Sequence, residues 1–287
     1  MRKFTIQQFN EKYKTDDDCL SEIFSNRYAT LKICPNKKCK KETRFHKVSD
    51  RKCYACQYCG YQLHPLGDTI FHKSDTSLKS WFFAIFLFAN SRNGVSSKEL
   101  ERQLGVTYKT AWRIGKQVRK LFKAQEKQML SKVVEADETY IGGRRHNAER
   151  MSNKSAVVAM VQRGGKVYAV SGRKLRNIGI KKTLLENIDL KAHLMTDQAS
   201  LYKKVGRQFK KHGQIRHDIG QYVKGDVHTN TVEGFFSHLK RGISGTYASV
   251  SPKHLQSYVN EFAYRYNRGN YGVSLFYPMI SRAGKPA

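Results

Sequence analysis

Cysteine spacing is the strongest constraint on what this chain can become. Six cysteines occur in 287 residues: Cys19, Cys34, Cys39, Cys53, Cys56 and Cys59, the last five within a 26-residue stretch. Four residues separate Cys34 from Cys39, two separate Cys56 from Cys59, and sixteen lie between the pairs. This is the spacing of a four-cysteine zinc ribbon, where one tetrahedral ion replaces the apolar core that so short a module lacks. Cys53 offers a rival frame with Cys56. It lies too close to Cys39, however, and Gly60 follows Cys59 where a tight turn is required, so Cys53 reads as a spare thiol. The leading Met1-Arg2-Lys3-Phe4 runs into polar sequence unlike a signal peptide. A reducing, cytoplasmic location is therefore expected, where clustered cysteines favour metal over disulfides.

Four segments follow from pattern. Residues 1–30 read as short helices, with Thr5 as a cap and Phe4, Ile6 and Phe9, then Leu20, Ile23 and Phe24, at helical spacing. Residues 31–72 are the ribbon. Residues 73–125 are helical, beginning with a face of Leu78, Trp81, Phe82, Ile85 and Phe88. Residues 126–287 are mixed. A strand is expected over Val133–Ile141, ending at Gly142-Gly143. A hairpin is expected where 156–161 and 167–170 flank Arg163-Gly164-Gly165-Lys166. A helix near 178–188 and a strand ending at Asp197 follow. Residues 207–228 lack periodicity and read as a loop. Two helices close the chain, one over about 230–241 and one starting at Ser251-Pro252.

Charge narrows the partners. There are 53 Lys and Arg against 23 Asp and Glu, a formal +30. Such a surplus attracts polyanions, and nucleic acid gains affinity with every phosphate neutralised. A basic membrane-surface protein is the rival. The longest apolar run, Trp81 to Ala89, is about half of the ~20 residues a span needs, so it reads as a buried helix and no membrane is expected. Within the helical segment, Ser96 to Ile114 has a helix-turn-helix layout. A short helix stops at Gly105, a second starts near Thr107, and Leu100, Leu104, Val106, Ala111 and Ile114 form its core. Thr107, Tyr108, Lys109, Arg113 and Lys116 would then face outward, where a recognition helix meets DNA.

Three acids stand apart in this basic background. Asp137 lies in the strand Val133–Ile141, Asp197 ends the run His193-Leu194-Met195-Thr196-Asp197, and Glu233 lies in the helix from 230. Between 201 and 241 the acids are Asp218, Asp226 and Glu233, against nine Lys and Arg. Strand, strand, helix is an order that lets a sheet gather three carboxylates around Mg2+ or Mn2+, hard cations that take oxygen ligands. Two such ions promote phosphoryl displacement. On a strand Glu135 shares the face of Asp137 and Glu138 takes the other, so either is an alternative ligand. Asn230 and Asp226 compete with Glu233. Lys240, two turns after Glu233 on the same helical face, could meet a phosphate. His193, His228 and His238 lie near the acids without a metal-ligand spacing.

The ribbon, the helix-turn-helix, Glu135-Ala136-Asp137-Glu138-Thr139-Tyr140-Ile141-Gly142-Gly143, Leu194-Met195-Thr196-Asp197 and His228-Thr229-Asn230-Thr231-Val232-Glu233-Gly234-Phe235-Phe236 occur in that order, with Lys240 to Tyr247 and Glu261 to Asn267 after them. Together they resemble the zinc-ribbon transposases of bacterial insertion sequences, a group related to the Merlin elements. The resemblance covers about 20 to 270. It implies an α+β / α/β multidomain chain in which an N-terminal zinc ribbon and helix-turn-helix precede an RNase H-like mixed sheet with flanking helices.

It further implies a DDE site in which Asp137 and Asp197 match the first two acids. The family writes its third position as Glu or Asn, which keeps Glu233 and Asn230 as candidates. Double-stranded DNA would be the partner, as terminal inverted repeats and as target. Lys240 and Arg241 would steady its backbone, structural Zn2+ would sit in the ribbon, and at least a dimer would act, nucleoid-associated in a bacterial cytoplasm. Two departures stand out: four residues rather than two between Cys34 and Cys39, and Ala248 where the family often has His. A nuclease without strand transfer and a non-catalytic DNA-binding regulator are the alternatives.

Overall fold

The computed structural model describes residues 4–122, 129–142, 154–172, 177–197, 199–215, 226–269 and 274–286. The chain forms two compact units. The first comprises Met1–Ser91, Ser97–Leu121 and Gly272–Ala287, and the second Arg92–Ser96 and Phe122–Tyr271.

The first unit opens with α1 (Ile6–Lys12) and α2 (Asp16–Tyr28), each started by a capping box, Thr5 with Gln8 and Thr15 with Asp18. Three short strands, β1 (Phe45–Lys47), β2 (Tyr54–Cys56) and β3 (Gln62–Leu63), pair antiparallel in that order. Then α3 (Leu78–Asn90) buries all five residues of its expected face. It is followed by α4 (Ser97–Leu104) and α5 (Tyr108–Lys120). The turn between these two uses Gly105 at φ +63, a left-handed conformation that glycine adopts without strain. Thr107 caps α5 by accepting from the Thr110 amide. Leu100, Ala111 and Ile114 are buried and Leu104 and Val106 half-buried.

The second unit is built on five strands, β4 (Val133–Ile141), β5 (Ser155–Gln162), β6 (Val167–Gly172), β7 (His193–Asp197) and β8 (Lys211–Ile215). Their order is β6-β5-β4-β7-β8, with antiparallel pairing from β6 to β4 and parallel pairing from β4 to β8. The helices are α6 (Asn177–Asn187), α7 (Ser200–Gly206), α8 (Asn230–Arg241) and α9 (Leu255–Gly269), with a π-helical segment over Gly242–Tyr247.

Both faces of the sheet are covered, which is why β5 reads as a continuous apolar run rather than an alternating one. Val134, Ala136, Val158 and Met160 pack with Ile180 and Leu184 of α6 and Tyr202 and Val205 of α7. Val157, Ala159 and Val161 pack with Val232, Phe235, Phe236 and Leu239 of α8 and Val259 and Phe262 of α9. Successive β4 residues therefore turn alternately to α8 and to α7. Among the described residues no helix is long and apolar enough to cross a membrane.

Several expectations need adjusting. The stretch 207–228 is not all loop, because β8 pairs with β7 at the sheet edge. Its Lys-His-Gly-Gln-Ile lacks apolar alternation since only Ile215 is buried. Pro252 to His254 form a turn, and α9 begins at Leu255 rather than at Ser251-Pro252. The short helix α7 was not anticipated. Nor was α10 (Phe276–Ala283), which belongs to the first unit and not to a segment running from 126 to 287. Phe276 is fully buried there and its ring stacks on Phe4 at 4.8 Å.

Gly242 marks a close approach, since a Cβ there would sit 2.0 Å from Cζ of Phe262. Gly242→Ala should destabilise the second unit by about 1–3 kcal/mol through overpacking. Gly245→Ala, which meets nothing within 4 Å, should leave the urea midpoint nearly unchanged.

Candidate active site and metal centre

The pairing of β4 with β7 positions the first two acids. Val133, Val134 and Glu135 pair in parallel with His193, Leu194 and Met195. Two residues further on, the same register carries Asp197 to the level of Asp137, beyond the last paired rung. Asp137 faces the α8 side, as the alternation along β4 requires. On α8, Glu233 and Lys240 lie seven residues apart, two turns along one face. Asp137, Glu138, Thr139, Asp197, Glu233, Phe236, Ser237 and Lys240 all line one opening of about 400 Å3.

Each carboxylate has local support. Asp137 Oδ1 accepts from the Glu138 amide at 2.8 Å, Asp197 Oδ1 from the Ala199 amide at 3.0 Å, and Glu233 Oε1 from the Thr229 hydroxyl at 2.9 Å. Glu138 turns toward α7, where the Tyr202 hydroxyl donates to it. Burial first, then the charges of Glu138, Asp197 and Glu233, push Asp137 up to about 7, against the lowering effect of the Glu138 amide. Burial and Asp197 also raise Glu138, again opposed by Tyr202. Hard oxygen donors that repel one another in a confined opening are the donor set a divalent cation would neutralise.

The alternatives separate clearly. Glu138 joins the opening, whereas Glu135 is fully buried and turned to the N-terminus of α8. Asn230 and Asp226 are exposed and do not line the opening, nor does Arg241, which is exposed at the end of α8. His193, His228 and His238 do not line it either. His228 Nδ1 lies 3.3 Å from Glu135, and the His238 ring meets Phe262 edge-on. Glu138 is an alternative in the sequence; Ser237 and the Tyr202 partner extend the set read from it. For Tyr202 the signal was absent, because nothing in Ser200 to Gly206 marks which strand it faces.

In the first unit the ligand atoms of Cys34, Cys39, Cys56 and Cys59 all lie within 4.8 Å of one another. Among the described residues this is the one such group of three or more potential ligands, so the carboxylates are spaced more widely. Cys34 and Cys59 sulfurs are 3.6 Å apart. Zn–S bonds of about 2.3 Å at tetrahedral angles put sulfurs roughly 3.8 Å apart, so four thiolates here fit zinc. Cys53 is buried outside the cluster, its thiol 3.6 Å from Gln62 Oε1. On α5, Thr107, Tyr108, Lys109, Arg113 and Lys116 are all exposed. So is Trp112, 36% exposed with Lys116 over its ring, which the sequence reading passed over.

Two measurements check this geometry. Metal analysis should give about one zinc per chain, lost in Cys34→Ser and kept in Cys53→Ser. The folded value of Asp137 lies above its ordinary 3.8, so its ionisation opposes folding. The stability of protein free of Mg2+ and Mn2+ should therefore fall as pH rises from about 4 through about 7. Asp137→Asn removes that penalty. It should raise the unfolding free energy at pH 8, by on the order of 2–4 kcal/mol at most, with the gain shrinking toward pH 5.5.

Residues 129–267 match the ISXO2-like transposase domain. An uncharacterized protein in transposable element ISH50 of Halobacterium salinarum is 24% identical over 258 residues, covering 81% of this chain and 84% of the relative. Over β4 to α9 the chain is thus similar to the ISXO2-like transposases, and over most of its length to a protein of a transposable element.

Proposed function

We propose that this chain is a DDE-type DNA transposase that cuts at the ends of its element and joins them to target DNA. One observation carries the reading: acids from two adjacent strands and one helix line a single opening, with Lys240 beside them, in a chain of net charge +30. The strand order, three antiparallel strands followed by two parallel ones with helices on both faces, supports an RNase H-like domain.

In this reading Asp137, Asp197 and Glu233 hold two Mg2+ or Mn2+ ions, with Glu138 alongside. Bound there, such ions would activate the attacking oxygen and stabilise the leaving one in phosphodiester cleavage and transfer. The chain's own residues do the rest. Thr229 orients Glu233, and Lys240 and Arg241 hold the DNA backbone near the acids. Asn230, exposed and outside the opening, is the weaker choice for third ligand. The ribbon, closed by Zn2+, and the exposed face of α5 bind the terminal inverted repeats. Two copies act together because two ends are joined in one event.

A strand-transfer assay with the element's own ends tests this. Asp137→Ala should lower cleavage and joining at least about a hundredfold, with end binding retained. Cleavage without joining would point to a nuclease, and binding with neither to a regulator. The double variant Lys109→Ala, Arg113→Ala should weaken end binding and reduce the salt slope by about 2. An unchanged slope would remove α5 from the DNA interface.

A further inference from the structure

Glu135 is a buried acid of the second unit held by four hydrogen bonds, and the proposed chemistry does not use it. It is 0% exposed, so its charge needs partners. Oε1 accepts from Arg163 Nε at 2.6 Å and from the Thr231 hydroxyl at 2.8 Å. Oε2 accepts from the backbone amides of Thr231 at 2.7 Å and Val232 at 3.1 Å. Those amides belong to the first turn of α8, where unpaired N–H groups and the helix dipole favour an anion.

The natural cap of that helix is otherwise occupied. Thr229 makes no side-chain cap bond, and its hydroxyl goes to Glu233 instead. Arg163 also donates to the carbonyls of Asp226 at 2.8 Å and His228 at 3.0 Å, fastening the segment that leads into α8. Glu135 therefore caps a helix from 96 residues away, and it does so two positions before Asp137 on the same face of β4. Thr231 and Glu233 are likewise two positions apart on α8.

We propose that Glu135 is a positioning residue: its buried carboxylate locks the helix bearing Glu233 to the strand bearing Asp137 and thereby sets the distance between the two acids. This rests on the metal-binding reading of those acids. Glu135 does not touch the opening, and it acts only through the two elements it joins. Removing its charge leaves α8 packed on the sheet through Val232, Phe235 and Phe236 against Val157, Ala159 and Val161 but frees the first turn of α8 to shift.

The test is Mn2+ binding by the intact zinc-loaded chain, followed by calorimetry or Mn2+ electron resonance, with melting temperature measured in parallel. Glu135→Gln should fold and bind Mn2+ about tenfold more weakly, as expected when a group that orients metal ligands is altered. Excess Mn2+ should restore its cleavage rate, with DNA affinity unchanged. Val158→Ala, in the core on the opposite face, should lower the melting temperature without weakening Mn2+ binding. Glu135→Asp, which keeps the charge but draws it back, carries the same comparison should the Gln variant fail to fold. Mn2+ affinity equal to wild type in both Glu135 variants, or reduced no more than in Val158→Ala, overturns the proposal. Wild-type binding that Asp137→Asn does not affect would instead remove the metal site itself, and the proposal with it.

Discussion

Four carboxylates around one opening repel each other, and the rest of the second unit has to hold them there. The sheet does this by burying β4 on both faces, with Val134 and Ala136 against α6 and α7 and its odd-numbered residues toward α8. A strand pinned in this way cannot slip by one residue without turning its acids into an apolar core. The elevated pKa of Asp137 is the local record of that constraint. Its burial follows from the packing, and the repulsion follows from bringing Asp197 and Glu233 near it.

Much of this was legible in the chain because the physics is local. Paired cysteines at four and two residues, an apolar strand broken by acids, a hairpin around two glycines and a helix with Glu and Lys seven apart each carry their own pattern. Where the pattern depended on distant partners it was not readable. Lys211 to Ile215 gains strand structure only from β7 beside it. Phe276 is an ordinary apolar residue until Phe4 stacks on it.

The ambiguity among Glu135, Asp137 and Glu138 was of the same kind. Strand periodicity assigns each acid to a face but says nothing of what covers the face. In the structure one face presents a helix N-terminus and the other presents Tyr202, and those partners divide the three acids. Glu135 is held by α8 away from the opening, whereas Asp137 and Glu138 both line it, Glu138 with its carboxylate held by the tyrosine. Covalent neighbours thus have different surroundings because the helices packed above and below the sheet differ.

The π-helical segment after α8 has a further effect. In an uninterrupted α-helix Tyr247, seven residues past Lys240 and fourteen past Glu233, would extend their stripe. The wider turns over Gly242–Tyr247 advance fewer degrees per residue and break that phase. The Tyr247 hydroxyl instead meets both oxygens of Glu261 at 2.9 Å and accepts from the Val95 amide at 3.2 Å. One continuous rod thereby serves two directions: its front half lines the acidic opening, and its rear half grips the short stretch of chain that leads onward to α4.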